Sequence, residues 1–109
     1  MERFHDIVEA RIVYMGTPEI SAEVFSMLIE AGFHFVAAIT NEDKPVGRKR
    51  ILEPTPVKKV ALEHNIPVFQ PHRIRTDNAF LKDIPCDLIL TMAYGQIVPD
   101  EVLRHPRFG

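Results

Sequence analysis

An alternation of short apolar runs with segments of helical period constrains the fold of this chain more than any other feature. Four apolar runs have the length of strands, and they lie at residues 11–15, 33–40, 66–70 and 87–92. Segments with helical spacing of their apolar residues follow them, at about 18–29, 56–61, 76–82 and 99–104. Such an alternation is typical of parallel α/β architecture. The sequence therefore predicts an α/β fold with a mostly parallel sheet of about four strands.

Two of the predicted helices begin with a threonine followed by a proline, at Thr17-Pro18 and Thr55-Pro56. A threonine side chain can cap a helix, and proline is favoured at the first helical position, where its missing N–H has no partner to lose. We therefore expect both threonines to act as caps. The first helix is expected to bury one face, formed by Ile20, Val24, Phe25, Leu28 and Ile29.

The bulk composition is that of an ordinary globular chain. Its 109 residues suffice for one domain, and they are 46% hydrophobic and 26% charged, with a net charge of −2. No apolar run approaches the roughly 20 residues of a membrane-spanning helix, and residues 1–10 lack the pattern of a signal peptide. We therefore expect a cytoplasmic protein without a membrane partner. Cys86 is alone and the histidines make no metal-binding pair, so no metal site is predicted.

Three loops are expected at one edge of the predicted sheet. Right-handed crossovers place every loop that follows a parallel strand at the carboxyl edge, and the loops in question are residues 16–18, 41–53 and 93–99. In an open α/β sheet, ligands bind at this edge, near the point where the strand order reverses. The sequence therefore predicts a binding site built from these three segments.

The loop at 41–53 carries four cations, Lys44, Arg48, Lys49 and Arg50. On composition alone, such a run is more often a solvated charged surface than a binding site. However, prolines and a glycine shape this segment, which lowers the entropy that it loses when it engages a partner. A shaped cationic loop at a ligand edge suits phosphate or an RNA end, since arginine offers bidentate contacts and stacks on bases.

The other two loops offer backbone groups rather than reactive side chains. Residues 16–18 follow a strand and open a helix, so the N–H groups of this loop suit an anion or a carboxylate. Its single glycine does not make a dinucleotide fingerprint, so no nicotinamide or flavin is expected. The third loop, "AYGQIVP", combines backbone donors and acceptors with apolar side chains, which suits a flat heteroaromatic ligand. The alternative is a plain connection with Tyr94 in the core.

The motifs of the chain resemble those of the N-terminal part of the methionyl-tRNA formyltransferases. The resemblance rests on five stretches in the order and spacing of that family, namely "RIVYMGTPEI", "DKPVGR", "PTPVK", "ALEHNIPVFQP" and "AYGQIVPDEVL". It covers residues 11–109 as the N-terminal part of one formyltransferase domain and leaves residues 1–10 as an extension. It implies a Rossmann-like, doubly wound, mostly parallel sheet that is truncated after about four strands.

The resemblance also implies an activity and its site residues. The activity is transfer of the formyl group of 10-formyltetrahydrofolate to the amine of methionine on initiator tRNA. The residues implied on the methionyl side are Gly16, Thr17, Pro18 and Ile20. Those implied to bind tRNA are Lys44, Arg48, Lys49 and Arg50. Those implied around folate are Ala93, Tyr94, Gly95, Gln96, Ile97 and Val98.

The catalytic residues of the family, an Asn-x-His and a later Asp, are implied to lie beyond Gly109. No asparagine of this chain has a histidine two positions later. We therefore expect a fragment that is inactive alone, with strand 87–92 as an unpaired apolar edge at which chains could associate. Two alternatives remain open: a fragment of a sugar or nucleotide N-formyltransferase, and a non-catalytic module that binds RNA ends or anions through residues 44–50.

Overall fold

The computed structural model describes residues 10–96, 98, 102 and 104–106. Nearly all of the predicted extension, Ile97 and most of the helical turn predicted at 99–104 lie outside the described residues. In chain order the elements are β1 (Arg11–Gly16), α1 (Glu19–Glu30), β2 (His34–Ile39), β3 (Lys44–Val46), β4 (Ile51–Glu53), α2 (Pro56–Glu63), β5 (Val68–Phe69), a 3₁₀ helix (Ala79–Asp83) and β6 (Leu88–Met92). Within this part of the chain, no helix is long and apolar enough to cross a bilayer.

The main sheet has four parallel strands in the order β5-β2-β1-β6. β1 pairs with β2 on one side and with β6 on the other, and β5 pairs with β2. This confirms the predicted α/β fold and its parallel sheet. The third predicted strand is shorter than residues 66–70, since only Val68 and Phe69 pair with β2. Pro67 has no N–H to donate to the ladder, which is one physical reason for the short pairing.

β1 lies at the centre of the fold and is buried on both faces. Ile12 and Tyr14 belong to the apolar cluster under α1 and α2, whereas Val13 and Met15 belong to the cluster on the opposite face. The Tyr14 ring stacks on Phe25 of α1 with ring centroids 4.4 Å apart. The apolar residues of β1 do not alternate with polar ones because both faces of the strand are covered, as is usual in a parallel sheet.

The two predicted helix caps have different outcomes. Thr55 caps α2, because its Oγ1 accepts a hydrogen bond from the Lys58 N–H at 3.2 Å. Thr17 does not cap α1, since Pro18 occupies the N-cap position and no side chain caps this helix. The Thr17 hydroxyl instead donates to the Tyr94 carbonyl at 2.7 Å. The predicted Thr17 cap is therefore wrong, because a tertiary hydrogen bond takes the hydroxyl away from the helix.

Two other helical predictions need correction. Ile20 is 57% exposed and does not join the buried face of α1, whereas Phe25 is fully buried as expected. The reason is that the buried face of α1 passes through Ser21, Ala22 and Phe25, and Ile20 lies to one side of it. The weak helix expected at 76–82 is the short 3₁₀ helix at Ala79–Asp83.

The basic segment departs most from expectation, because it forms a β-hairpin instead of an irregular loop. β3 and β4 pair antiparallel, and we call residues 44–53 the basic hairpin. Gly47 and Arg50, which flank the turn, have positive φ values of 73° and 50°. Lysine and proline, which occupy two of the three positions of β3, are not favoured in strands, so the pairing was not predicted from composition.

β6 lies at one edge of the described sheet, with β1 as its neighbour. The beginnings of the two strands are tied by Asp87, whose Oδ2 accepts a hydrogen bond from the Arg11 N–H at 2.8 Å. The Arg11 guanidinium adds an ion pair with Oδ1 of the same carboxylate at 3.3 Å. Association of chains through residues 87–92 stays a prediction, which a concentration series in analytical ultracentrifugation would test.

We predict that Gly16→Ala destabilises the fold. A Cβ at this position would lie 2.9 Å from the Met92 carbonyl oxygen and would overlap the Ser21 hydroxyl. Because one neighbour is backbone and Ser21 is fully buried, neither yields easily, and we expect the unfolding free energy to fall by about 3 kcal/mol. Chemical denaturation measures the change.

Gly32→Ala is the matched control for this substitution. A Cβ at Gly32 meets no atom within 4 Å, so only its φ of 99° is unfavourable for alanine. That strain costs about 1 kcal/mol. Equal losses of stability at the two glycines would contradict the steric account of Gly16.

Candidate functional site

The three segments predicted to form the site are adjacent at the carboxyl edge of the sheet. Residues 16–18 connect β1 to α1, residue 41 follows β2 closely, and the β6 loop, residues 93–98, follows β6. Thr17 and Asn41 both donate hydrogen bonds to the Tyr94 carbonyl, at 2.7 and 2.9 Å. The ends of three neighbouring strands are therefore connected through a single backbone oxygen.

Asn41 joins these segments, although the sequence analysis did not single it out. Its Nδ2 donates to the Tyr94 carbonyl, and its Oδ1 accepts a hydrogen bond from Gln96 Nε2 at 2.7 Å. Gln96 in turn accepts from the Ile74 N–H through Oε1 at 2.8 Å. The two side-chain amides thus hold the β6 loop at both Tyr94 and Gln96. One feature of the sequence could have indicated this role, namely that Asn41 has an amide side chain and closely follows the buried strand β2.

The β6 loop has an irregular backbone whose peptide groups lie near the surface. Ala93 and Gly95 have φ values of 50° and 96°, and both residues are exposed. The Tyr94 ring is buried in the core cluster, where burial raises the pKa of its hydroxyl to about 12. Ile97 lies outside the described residues, and Val98 packs against the core. A ligand at this loop would therefore contact backbone groups rather than the tyrosine ring.

The four residues implied on the methionyl side differ in accessibility. Gly16 is buried, and Thr17 is partly buried because its hydroxyl is engaged by the β6 loop. Pro18, at the N-cap position of α1, and Ile20, in its first turn, are exposed. Together they leave an apolar surface beside the carboxyl edge.

The basic hairpin presents its cations to solvent. Lys44, Arg48, Lys49 and Arg50 are all exposed, and within the described residues none of them is in an ion pair. In that part of the chain, their charged groups are therefore not in direct contact with an acidic side chain. Unpaired, exposed cations on a projecting hairpin can reach a polyanion without first breaking an internal contact.

A polar cavity of about 320 Å³ lies between the base of the basic hairpin and the β6 loop. Its lining residues are Asn41, Glu42, Asp43, Lys44, His72 and Gln96. His72 Nδ1 and Glu42 Oε1 are 2.7 Å apart in this group. A second cavity, of about 400 Å³, lies at the opposite edge of the sheet beside Arg11 and Ile84. In the part of the chain that the structure describes, no cluster of His, Cys, Asp and Glu could hold a metal ion.

Comparison with known proteins agrees with the motifs. Residues 10–109 match the profile of the family described as formyl transferase. The methionyl-tRNA formyltransferases of Bacillus thuringiensis subsp. konkukian (strain 97-27), Bacillus cereus (strain AH187) and Bacillus anthracis (strain A0248) are each 48% identical over 101 residues. These matches cover 91% of this chain and 32% of each relative, so the chain spans about a third of their length. The predicted resemblance is confirmed, and the chain belongs to the formyl transferase family.

Proposed function

We propose that this chain forms the front part of a methionyl-tRNA formyltransferase, which transfers the formyl group of 10-formyltetrahydrofolate to the amine of methionyl initiator tRNA. The names of the relatives support this reading. The observation that carries it is the contact of three strand-end segments through Thr17, Asn41 and Tyr94. This contact joins surfaces that the motifs assign separately to methionine, RNA and folate.

The folate side is proposed at the β6 loop. The residues assigned to it are Ala93, Tyr94, Gly95, Gln96, Ile97 and Val98. A pterin is a flat ring with donors and acceptors along its edge, so it suits the exposed peptide groups of this loop. The positive φ of Ala93 and Gly95 turns their peptide groups away from a regular strand ladder, and this supports the assignment.

The RNA side is proposed at the basic hairpin. Arg48, which lies in the turn, is assigned as the principal contact, and Lys44, Lys49 and Arg50 add charge. Exposed arginines bind phosphate in a bidentate way and also stack on bases at a single-stranded end. The methionyl side is proposed at residues 16–18 and Ile20, whose exposed side chain offers an apolar contact.

We also propose that the 109-residue chain is inactive by itself. The tetrahedral intermediate of formyl transfer requires an oxyanion donor and a group that takes the proton of the amine. The resemblance assigns these roles to an Asn-x-His and an Asp, and none of the three asparagines of this chain precedes a histidine at that spacing. A cytoplasmic location is proposed because translation initiation takes place there.

A formyl transfer assay tests the proposed function. The full-length protein that carries this sequence should formylate methionyl initiator tRNA with 10-formyltetrahydrofolate, and the 109-residue chain should not. The comparison substrates are an amino sugar nucleotide and glycinamide ribonucleotide. Saturable activity on one of these, with none on methionyl-tRNA, would contradict the proposal and favour the sugar or nucleotide alternative.

The first prediction from this assignment concerns Arg48. Arg48→Ala should weaken the binding of the chain to methionyl initiator tRNA and reduce the slope of log K against log salt by about one unit, because one phosphate contact is lost. Filter binding over a range of salt concentrations measures both effects. Lys82→Ala, an exposed cation on the 3₁₀ helix, is the control. The same change of slope in both variants would contradict a specific role of Arg48.

The second prediction concerns Gly95. A Cβ at this position would lie 2.9 Å from Asn41 Nδ2, and the φ of 96° is unfavourable for alanine. Gly95→Ala should therefore distort the β6 loop and raise the KM for 10-formyltetrahydrofolate in the full-length protein about tenfold, as expected for 1–2 kcal/mol of local strain. The KM for methionyl-tRNA should change little. Gly47→Ala, which also has a positive φ but an open surrounding, should leave the folate KM unchanged.

A further inference from the structure

The basic hairpin projects from the carboxyl edge with little packing of its own. Lys44, Ile51 and Leu52 are exposed, and β3 and β4 pack mainly on each other. An isolated two-stranded hairpin is only marginally ordered in water. The direction in which this hairpin points therefore has to be set by its root, which we define as residues 40–43 and 54–55.

Two sets of side-chain contacts hold the root. The hydroxyls of Thr40 and Thr55, both buried, share a hydrogen bond of 2.6 Å across the two chain segments. Asp43, the residue just before β3, accepts hydrogen bonds from Lys58 Nζ at 3.2 Å on each carboxylate oxygen. Its Oδ1 also accepts from Gln70 Nε2 at 2.7 Å. The root is thus bound to α2 through Lys58 and to the segment after β5 through Gln70.

The Asp43 carboxylate is stabilised in its charged form. The hydrogen bond from Gln70 is the largest cause that lowers its pKa, and Lys58 contributes in the same direction. Gln70 also donates to the Asn41 carbonyl at 3.1 Å through the same nitrogen. One amide therefore holds both ends of the short segment that leads into the hairpin.

We propose that Asp43 is a positioning residue, which fixes the direction of the basic hairpin at the site edge and thereby sets its affinity for RNA. The statement about RNA rests on the proposed function, whereas the statement about the hairpin does not. A hairpin that is already held in its bound direction loses less entropy on binding than one that swings. Asp43 itself carries the wrong charge to contact a phosphate, so its effect on RNA passes through the cations that it positions.

Charge and positioning predict opposite effects when this carboxylate is removed. Asp43→Ala takes a negative charge away from a cationic surface, and that change alone favours a polyanion. Loss of the hairpin's fixed direction has the opposite effect and weakens the binding of a polyanion. Glu53→Ala is the matched control, because Glu53 is an exposed acid on β4 opposite Lys44, and within the described residues its side chain has no hydrogen bond or ion pair.

The experiment measures binding of methionyl initiator tRNA to the 109-residue chain and its variants. We expect Asp43→Ala to bind at least about fivefold more weakly than the unmodified chain, because hairpin entropy is then lost on binding. Glu53→Ala should bind equally well or up to about threefold more tightly. Gln70→Leu changes no charge and should weaken binding in the same direction as Asp43→Ala. Tighter binding by Asp43→Ala would overturn the proposal.

Backbone ¹⁵N relaxation gives the second readout. In Asp43→Ala and Gln70→Leu, the order parameters of residues 44–53 should fall below about 0.6, while those of β1 and β2 stay near 0.85. Unchanged hairpin order in these variants would also overturn the proposal. If Asp43→Ala does not fold, Gln70→Leu decides by the same two readouts. If the hairpin loosens as expected but the unmodified chain does not bind RNA, the proposed function fails and the positioning role stands.

Discussion

The hydrogen bonds of the Asn41 side chain are the interaction on which the arrangement of the site depends. The amide is bonded at both ends, to the Tyr94 carbonyl and to the Gln96 side chain. Removing one partner of such a buried or partly buried pair leaves a polar group unsatisfied, at a cost of about 1–3 kcal/mol. The β6 loop is therefore fixed against the end of β2, and the Thr17 hydroxyl ties the same carbonyl to the end of β1.

The charges of the site are divided between an exposed part and a partly buried part. The hairpin cations stand in solvent, where they give a local positive field in a chain of net charge −2. The ion pair that orients them, Asp43 with Lys58, is partly shielded, with side-chain exposures of 30% and 21%. Partly shielded pairs are screened less by salt than exposed ones. The molecule thus keeps the hairpin cations accessible to solvent, while the ion pair at the base of the hairpin is partly shielded.

The parallel sheet and the meeting of the three loops at its carboxyl edge could be predicted from the sequence, whereas the contacts between these loops could not. Residues 12–15 of β1 are apolar and buried on both faces, and the carboxyl-edge rule needs only the order of strands and helices. The partners of Asn41 and Asp43 are 53 and 27 positions away in the chain, so no local pattern indicates them. The local pattern predicted that Thr17 caps the adjacent helix. Its hydroxyl instead donates to the Tyr94 carbonyl, 77 positions away in the chain.

The most direct test of the account is a chemical-shift titration of the ¹⁵N-labelled chain with 10-formyltetrahydrofolate. The account predicts shifts at residues 93–96, carried to Asn41 and Thr17 through their bonds to the Tyr94 carbonyl. It predicts no shifts at the opposite edge of the sheet. Shifts centred on the second cavity, at Arg11 and Ile84, with none in the β6 loop, would contradict the claim that the three joined segments form the ligand site.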